Sequence, residues 1–146
     1  MVLGNGRREG NVMEMPSPPG WPEHVRPPGA DGWQEQAVQH LLDCCPPEFR
    51  GVPLLARYPW VLAVFAERSV RGRQSVTRDA IAEIRAELDD RVEPQVVQAA
   101  LDIWQAESAR LQRLSREVTL LRHALAGDRF VPTMSGSWTA RHLWMS

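Results

Sequence analysis

The chain of 146 residues contains no lysine, and all 17 of its basic residues are arginine. Isoleucine and asparagine are scarce, while Ala, Arg, Gly and Pro are plentiful. Lys, Ile and Asn need AT-rich codons. The bias therefore points to a high-GC bacterial genome before it points to phosphate recognition, although arginine does make the better forked contacts. Long apolar runs are also missing. The longest, "VLAVFA" at 61–66, falls far short of the ~20 residues that a membrane helix needs, so no membrane partner is expected. The two cysteines are neighbours, Cys44 and Cys45, which excludes a disulfide framework. After Arg7 and Arg8 come Pro and Gly instead of an apolar stretch. No secretory signal is visible, and the cytoplasm is the expected location. A net charge of −1 carries no overall polyanion-binding signature. The chain has no G-x-S-x-G, no P-loop, no Rossmann glycines, no H-E-x-x-H and no Ser–His–Asp set. An enzyme is therefore not expected, and no cofactor is implied.

What remains is an ordinary composition, 43% hydrophobic and 24% charged, at a length that suits one domain with one modest core. Residues 1–30 are rich in Gly and Pro and show no periodicity. They read as a disordered or irregular arm, with Trp21 pinned to the surface. Within the arm, "GRREGNVMEM" back-translates to something close to a ribosome-binding site just ahead of Val12 and Met13. Residues 1–11 are therefore expected to be a leader outside the natural translation product. A single helical domain is expected over 31–132 and a flexible tail over 133–146.

Three helices account for the domain. Asp31, with Gln34 three residues on, is a candidate N-cap. Trp33, Ala37, Leu41 and Cys44 then recur on one helical face until Pro46 and Pro47 stop the helix. Pro59 starts a second helix, in which Leu62, Phe65, Ser69, Gly72, Val76, Ala80, Ile84 and Leu88 recur at threes and fours. Gly72 is its weak point and a candidate break. After "DDRVEP" turns the chain, Val97, Trp104, Leu111, Val118 and Leu125 fall seven apart, with Ala100, Leu101, Leu114 and Leu121 between them. Gly127 suits the C′ position of that helix. Two long helices joined by so short a turn must run antiparallel. With the turn centred near Val92, facing residue numbers should add to about 184, which places Trp104 opposite Ala80. The expected fold is all-α: a long antiparallel hairpin with one shorter N-terminal helix laid on it as a three-helix bundle. Its expected core is Trp33, Leu41, Leu62, Phe65, Ile84, Trp104, Leu111, Val118 and Leu121.

Candidate chemistry is sparse. His40 and Cys44 share a helical face, but a structural zinc wants four ligands, and His24, His123 and His142 stand isolated along the chain. No metal site is expected. Cys44 reads as a small buried residue at a helix end and Cys45 as a half-exposed neighbour. Arg68, Arg71, Arg73 and Arg78 on one long helix are level with Arg110, Arg113 and Arg116 on the other. Those seven arginines would form a belt, diluted by Glu67, Asp79, Glu107 and Glu117, while acidic residues gather toward the turn. Such a face is usually solvated and laced with ion pairs; its functional reading is a docking belt.

The runs "VRPPGADGWQEQAVQHLLDCCPPEFR", "LLARYPWVLAVFAERSV" and "AESARLQRL", closed by "ALAGDRFVP", resemble a group of small, functionally uncharacterised helical proteins of high-GC actinobacteria. The likeness spans residues 25–132. It implies a lineage and the hairpin architecture, and it implies no activity. The cysteine pair and the tail "SGSWTARHLWMS" depart from that pattern. The expected function is a non-enzymatic protein-interaction or regulatory module whose partner is a protein or a second copy of the chain, since pairing two hairpins would cover their apolar seams. A nucleic-acid-associated protein using the arginine belt is the alternative. A small-molecule pocket near Trp33, Cys44 and Trp104 ranks third.

Overall fold

The computed structural model describes residues 17–132 and 138–142. The expected leader, residues 1–11, lies outside them. The elements in chain order are α1 (Trp33–Asp43), a 3₁₀ turn (Pro47–Gly51), α2 (Pro53–Arg57), α3 (Pro59–Leu88), α4 (Pro94–Leu125), β1 (Asp128–Pro132) and β2 (Trp138–His142). Proline opens the 3₁₀ turn, α2, α3 and α4. Its missing N–H costs nothing there, because the first N–H groups of a helix have no internal partner. α1 begins differently. Gly32 is the N-cap, in the left-handed region at φ 79° and with no side-chain cap. Asp31 instead contributes its carbonyl, which accepts a hydrogen bond from the Arg26 guanidinium at 2.9 Å. At the other end Gly127 takes φ 89° and donates its N–H to the Ala124 carbonyl, which closes α4 as its position predicts.

α3 runs unbroken through Gly72 and packs antiparallel against α4 along its length. The fold is all-α apart from the terminal ribbon. Cross-helix contacts between Trp60 and Arg122 and between Arg73 and Glu107 fall close to the expected register. The seam on α3 is rotated from the expected row, however. It is formed by Leu62, Ala63, Ala66, Val70 and Thr77, against Val97, Leu101, Leu111, Val118, Leu121 and Ala124 on α4. Alanine at 63 and 66 lets the two backbones approach, so the row through Phe65, Ser69, Gly72 and Val76 becomes a flank. Phe65 is accordingly 39% exposed, with its ring edge-on to Phe49 at 5.8 Å, and is not a core residue. Leu41, Leu62, Leu111, Val118 and Leu121 are fully buried as expected, while Trp33, Ile84 and Trp104 are partly buried.

The arm is irregular, yet from Trp21 onward it packs into the core. Trp21 and Val25 are buried, and the Trp21 indole N–H donates to the carbonyls of Val25 (2.9 Å) and Arg26 (3.1 Å). Trp21 also meets Trp33 with ring centroids 6.0 Å apart. The Arg26 N–H donates to Gln36 Oε1 at 2.7 Å, which stitches the arm to α1. After α4, β1 and β2 pair antiparallel with Asp128 opposite His142 and Phe130 opposite Ala140. Residues 138–142 of the expected flexible tail are therefore a strand. The placing of the Phe130 side chain lies outside what is described.

Candidate functional site

α1 is about 16 Å long and α3 about 45 Å, at 1.5 Å per residue. The short helix therefore covers only one end of the hairpin, and a groove of about 850 Å³ opens where that cover stops. Asp43, Cys44, Cys45, Pro46 and Pro47 form one wall. Arg68, Ser69, Gly72, Arg73, Val76 and Thr77 of α3 form the floor, with Trp104 and Glu107 of α4 beyond. The chain builds the groove from two interruptions. Pro46 and Pro47 end α1, and Gly72 presents no side chain, so a Cβ added there would meet nothing within 4 Å. Cys44 and Trp104 thus share one groove, as the third reading expected. Trp33 lies elsewhere, against Trp21.

Burial disfavours the thiolate at both cysteines. Burial pushes the Cys44 thiol up to about 11, with the neighbouring Cys45 adding to the effect. Burial also raises Cys45, and a hydrogen bond with Ser69 opposes it in part. Cys45 is buried rather than half-exposed, because the chain turns at Pro46 and lays this residue onto α3. Since the thiolate is the nucleophile and the metal ligand, both side chains act as small apolar groups at neutral pH. Among the described residues, no group of three or more His, Cys, Asp or Glu side chains could hold a metal ion.

His24, isolated in the sequence, is brought into line with His40 and Glu117. His24 Nε2 lies 2.8 Å from His40 Nδ1, and His40 Nε2 lies 3.0 Å from Glu117 Oε1. The second contact is close but out of line for a straight hydrogen bond, which leaves the buried Nε2 in an electrostatic pairing with the carboxylate. Burial pulls the His40 pKa below its ordinary value. Glu117 opposes that shift, His24 reinforces it, and Asp43 raises it slightly. The arrangement ties arm, α1 and α4 together. Beside it lies a cleft of about 410 Å³ lined by Gly20, Trp21, Glu23, His24, Arg113, Arg116 and Glu117. His40 lies on the α1 face that packs on the hairpin, but nothing local in the sequence marks His24 or Glu117 as its neighbours.

Four of the seven arginines divide between two openings. Arg68 and Arg73 line the groove, whereas Arg113 and Arg116 line the cleft beside His24. Arg73 and Arg110 both reach Glu107, Arg110 with two hydrogen bonds of 2.9 Å, and Arg71 pairs with Glu67. Hydrogen bonding from Arg110 holds the Glu107 carboxyl below its usual range. Arg122 bridges to Glu67 and sits over the Trp60 ring, 5.5 Å from its centroid. No ion pair engages Arg68, Arg78, Arg113 or Arg116 among the described residues.

No family model, curated protein or solved structure matches the chain. Among the described residues, no helix is long and apolar enough to cross a membrane.

Proposed function

We propose that this protein is a non-enzymatic interaction module that docks its partner along the apolar flank running from the groove toward the tip of the hairpin. One observation carries the reading. On α4, Ala124 is buried where α1 covers the helix, and Ile103, three heptads earlier on the same row, is 69% exposed. Val96 continues that row and is 43% exposed. On α3, Val76 in the flanking row is 59% exposed. Apolar side chains on α4 thus continue beyond the end of α1, where no described element covers them. Large apolar side chains grouped in the exposed half of one hairpin support an interaction site there.

Ion pairs engage Arg71, Arg73 and Arg110 of the seven arginines and leave Arg68, Arg78, Arg113 and Arg116 for phosphate contacts, so a nucleic-acid-associated protein stands as the alternative. The test is affinity capture with the full chain beside a Val76→Arg/Ile103→Arg variant. Loss of the captured species with unchanged helical circular dichroism supports the reading. Identical capture by both proteins overturns it. Retention of both proteins on heparin at low salt, lost at higher salt, would favour the alternative.

A further inference from the structure

We infer that the contact between His24 and His40 is a proton-operated latch, which holds the arm on α1 and α4 at neutral pH and lets it lift once both rings carry a charge. The latch is separate from the flank proposed above as a docking site and stands without it.

The pair can hold only so many protons. His24 Nε2 and His40 Nδ1 are 2.8 Å apart, a spacing that needs one proton between the two nitrogens. Two neutral rings supply it, one donating and the other accepting. One added proton is also accommodated, since a cationic ring can donate to a neutral one. A second is not. Both facing nitrogens would then be N–H donors, on two positive rings whose centroids are 4.7 Å apart. The docked arm therefore allows one charge on the pair, whereas two imidazoles in water each take a proton at about pH 6.5. Lifting the arm takes up the second proton, so acid favours the lifted state.

Rotation of His24 alone would not relieve the pair. His40 is 6% exposed, and a charged His40 abandoned by His24 would keep a buried Nδ1–H with no acceptor. Lifting the arm hydrates both rings. The charged groups acting on His40 are Glu117 of α4, His24 of the arm and Asp43 of its own helix. Glu23, Arg113 and Arg116 line the cleft beside His24. Glu117 Oε1, 3.0 Å from His40 Nε2, steadies the first charge, and the two arginines oppose the second.

The arm can lift without the hairpin. Residues 18–30 belong to no helix or strand, and their backbone bonds close local turns, Trp21 to Pro18, Val25 to Pro22 and Ala30 to Pro27. Beside the latch, Trp21 and Val25 anchor the arm in the core, and the Arg26 N–H reaches Gln36 at an exposed edge. Release would uncover the core surface that Trp21 and Val25 seal. The roofed end would then present apolar surface in acid and hide it at neutral pH.

The test is hydrogen exchange of the full chain read by mass spectrometry, with each rate normalised to that of the unstructured peptide at the same pH. Between pH 7.5 and 5.0, protection over residues 18–30 should fall about tenfold or more while residues 97–121 keep theirs. His24→Gln, on an exposed side chain, keeps a donor and removes the titrating ring, so its arm should stay protected at pH 5.0. Arm protection that does not change with pH overturns the latch, as does a loss in step with α3 and α4, which is global unfolding. A His24→Gln arm that opens in acid like the parent's also overturns it.

Discussion

The two halves of one hairpin, built from the same pair of helices, differ in what they bury. Nearer α1, the seam between α3 and α4 is roofed by α1, the arm and the 3₁₀ turn. There Leu41, Leu55, Leu62, Leu111, Val118 and Leu121 are sealed from solvent. Toward the turn, no described element roofs the seam. Val97 and Leu101 are buried between the two helices, yet they lie outside the main core cluster. The difference teaches that the heptad pattern specifies helices and a seam but does not specify how many helices share it. A two-helix pair encloses one row per helix and leaves the rows on either side wet, whatever their sequence.

The sharpest way to break the comparison is to make equal cuts in the two halves. Leu62→Ala removes a fully buried side chain in the roofed half and should lower unfolding free energy by about 2–5 kcal/mol. Ile103→Ala removes a similar side chain in the bare half and should leave the stability of the dilute protein within about 0.5 kcal/mol of the parent. Urea titrations of both at sub-micromolar concentration would measure the pair. A loss of several kcal/mol for Ile103→Ala at that dilution would mean that something within the chain already covers the distal half.

The contrast also separates what could be read in the sequence from what could not. Pro59, Pro94 and Gly127 mark helix ends by local chemistry, and all three do so here. The seven-residue spacing of Val97, Trp104, Leu111 and Val118 fixed the long antiparallel seam. The rotation of that seam on α3 was not legible, because Phe65 and Val76 are more hydrophobic than Ala63 and Ala66, and periodicity weighs hydrophobicity rather than closeness of approach. Trp21 was readable only as an aromatic in a Pro-rich stretch; its burial depends on a surface that α1 and α4 create together. The same holds for His24 and Glu117, which are distant in sequence from His40 and become its neighbours only in the folded chain. The charge split along the hairpin was visible in the residues, whereas the groove at its midpoint needed the end of α1 to be located in space.

The His24–His40–Glu117 contact belongs wholly to the roofed half, so pH offers a gentler probe of it. Burial lowers the His40 pKa from its ordinary 6.5 in the folded protein. Between the folded value and 6.5 the unfolded chain binds more protons than the folded one, so stability must fall as pH drops through that window. Thermal melts at pH 7.5, 6.5 and 5.5 should show a declining midpoint, and His40→Gln should flatten the decline. A midpoint that rises on acidification would mean that Glu117, not burial, governs the imidazole. The distal half contains no histidine, so an Ile103→Ala background should keep the same pH slope.

Gly72 stands at the border between the halves and gives the smallest effect. It lies in the middle of α3, where glycine is about 1 kcal/mol less favourable than alanine, and the space above it is open. No positive φ demands glycine there, since the described residues with positive φ are Gly20, Gly29, Gly32 and Gly127. Gly72→Ala should therefore stabilise the chain by roughly 1 kcal/mol, a rise of about 3 °C in thermal midpoint for a protein of this size. The methyl group would protrude into the floor of the groove. If a docked partner uses that space, the variant gains stability alone while its capture of the partner weakens. Unchanged capture would mean that the floor at Gly72 stays open in the complex, and a loss of stability would mean that α3 does not run straight through this residue.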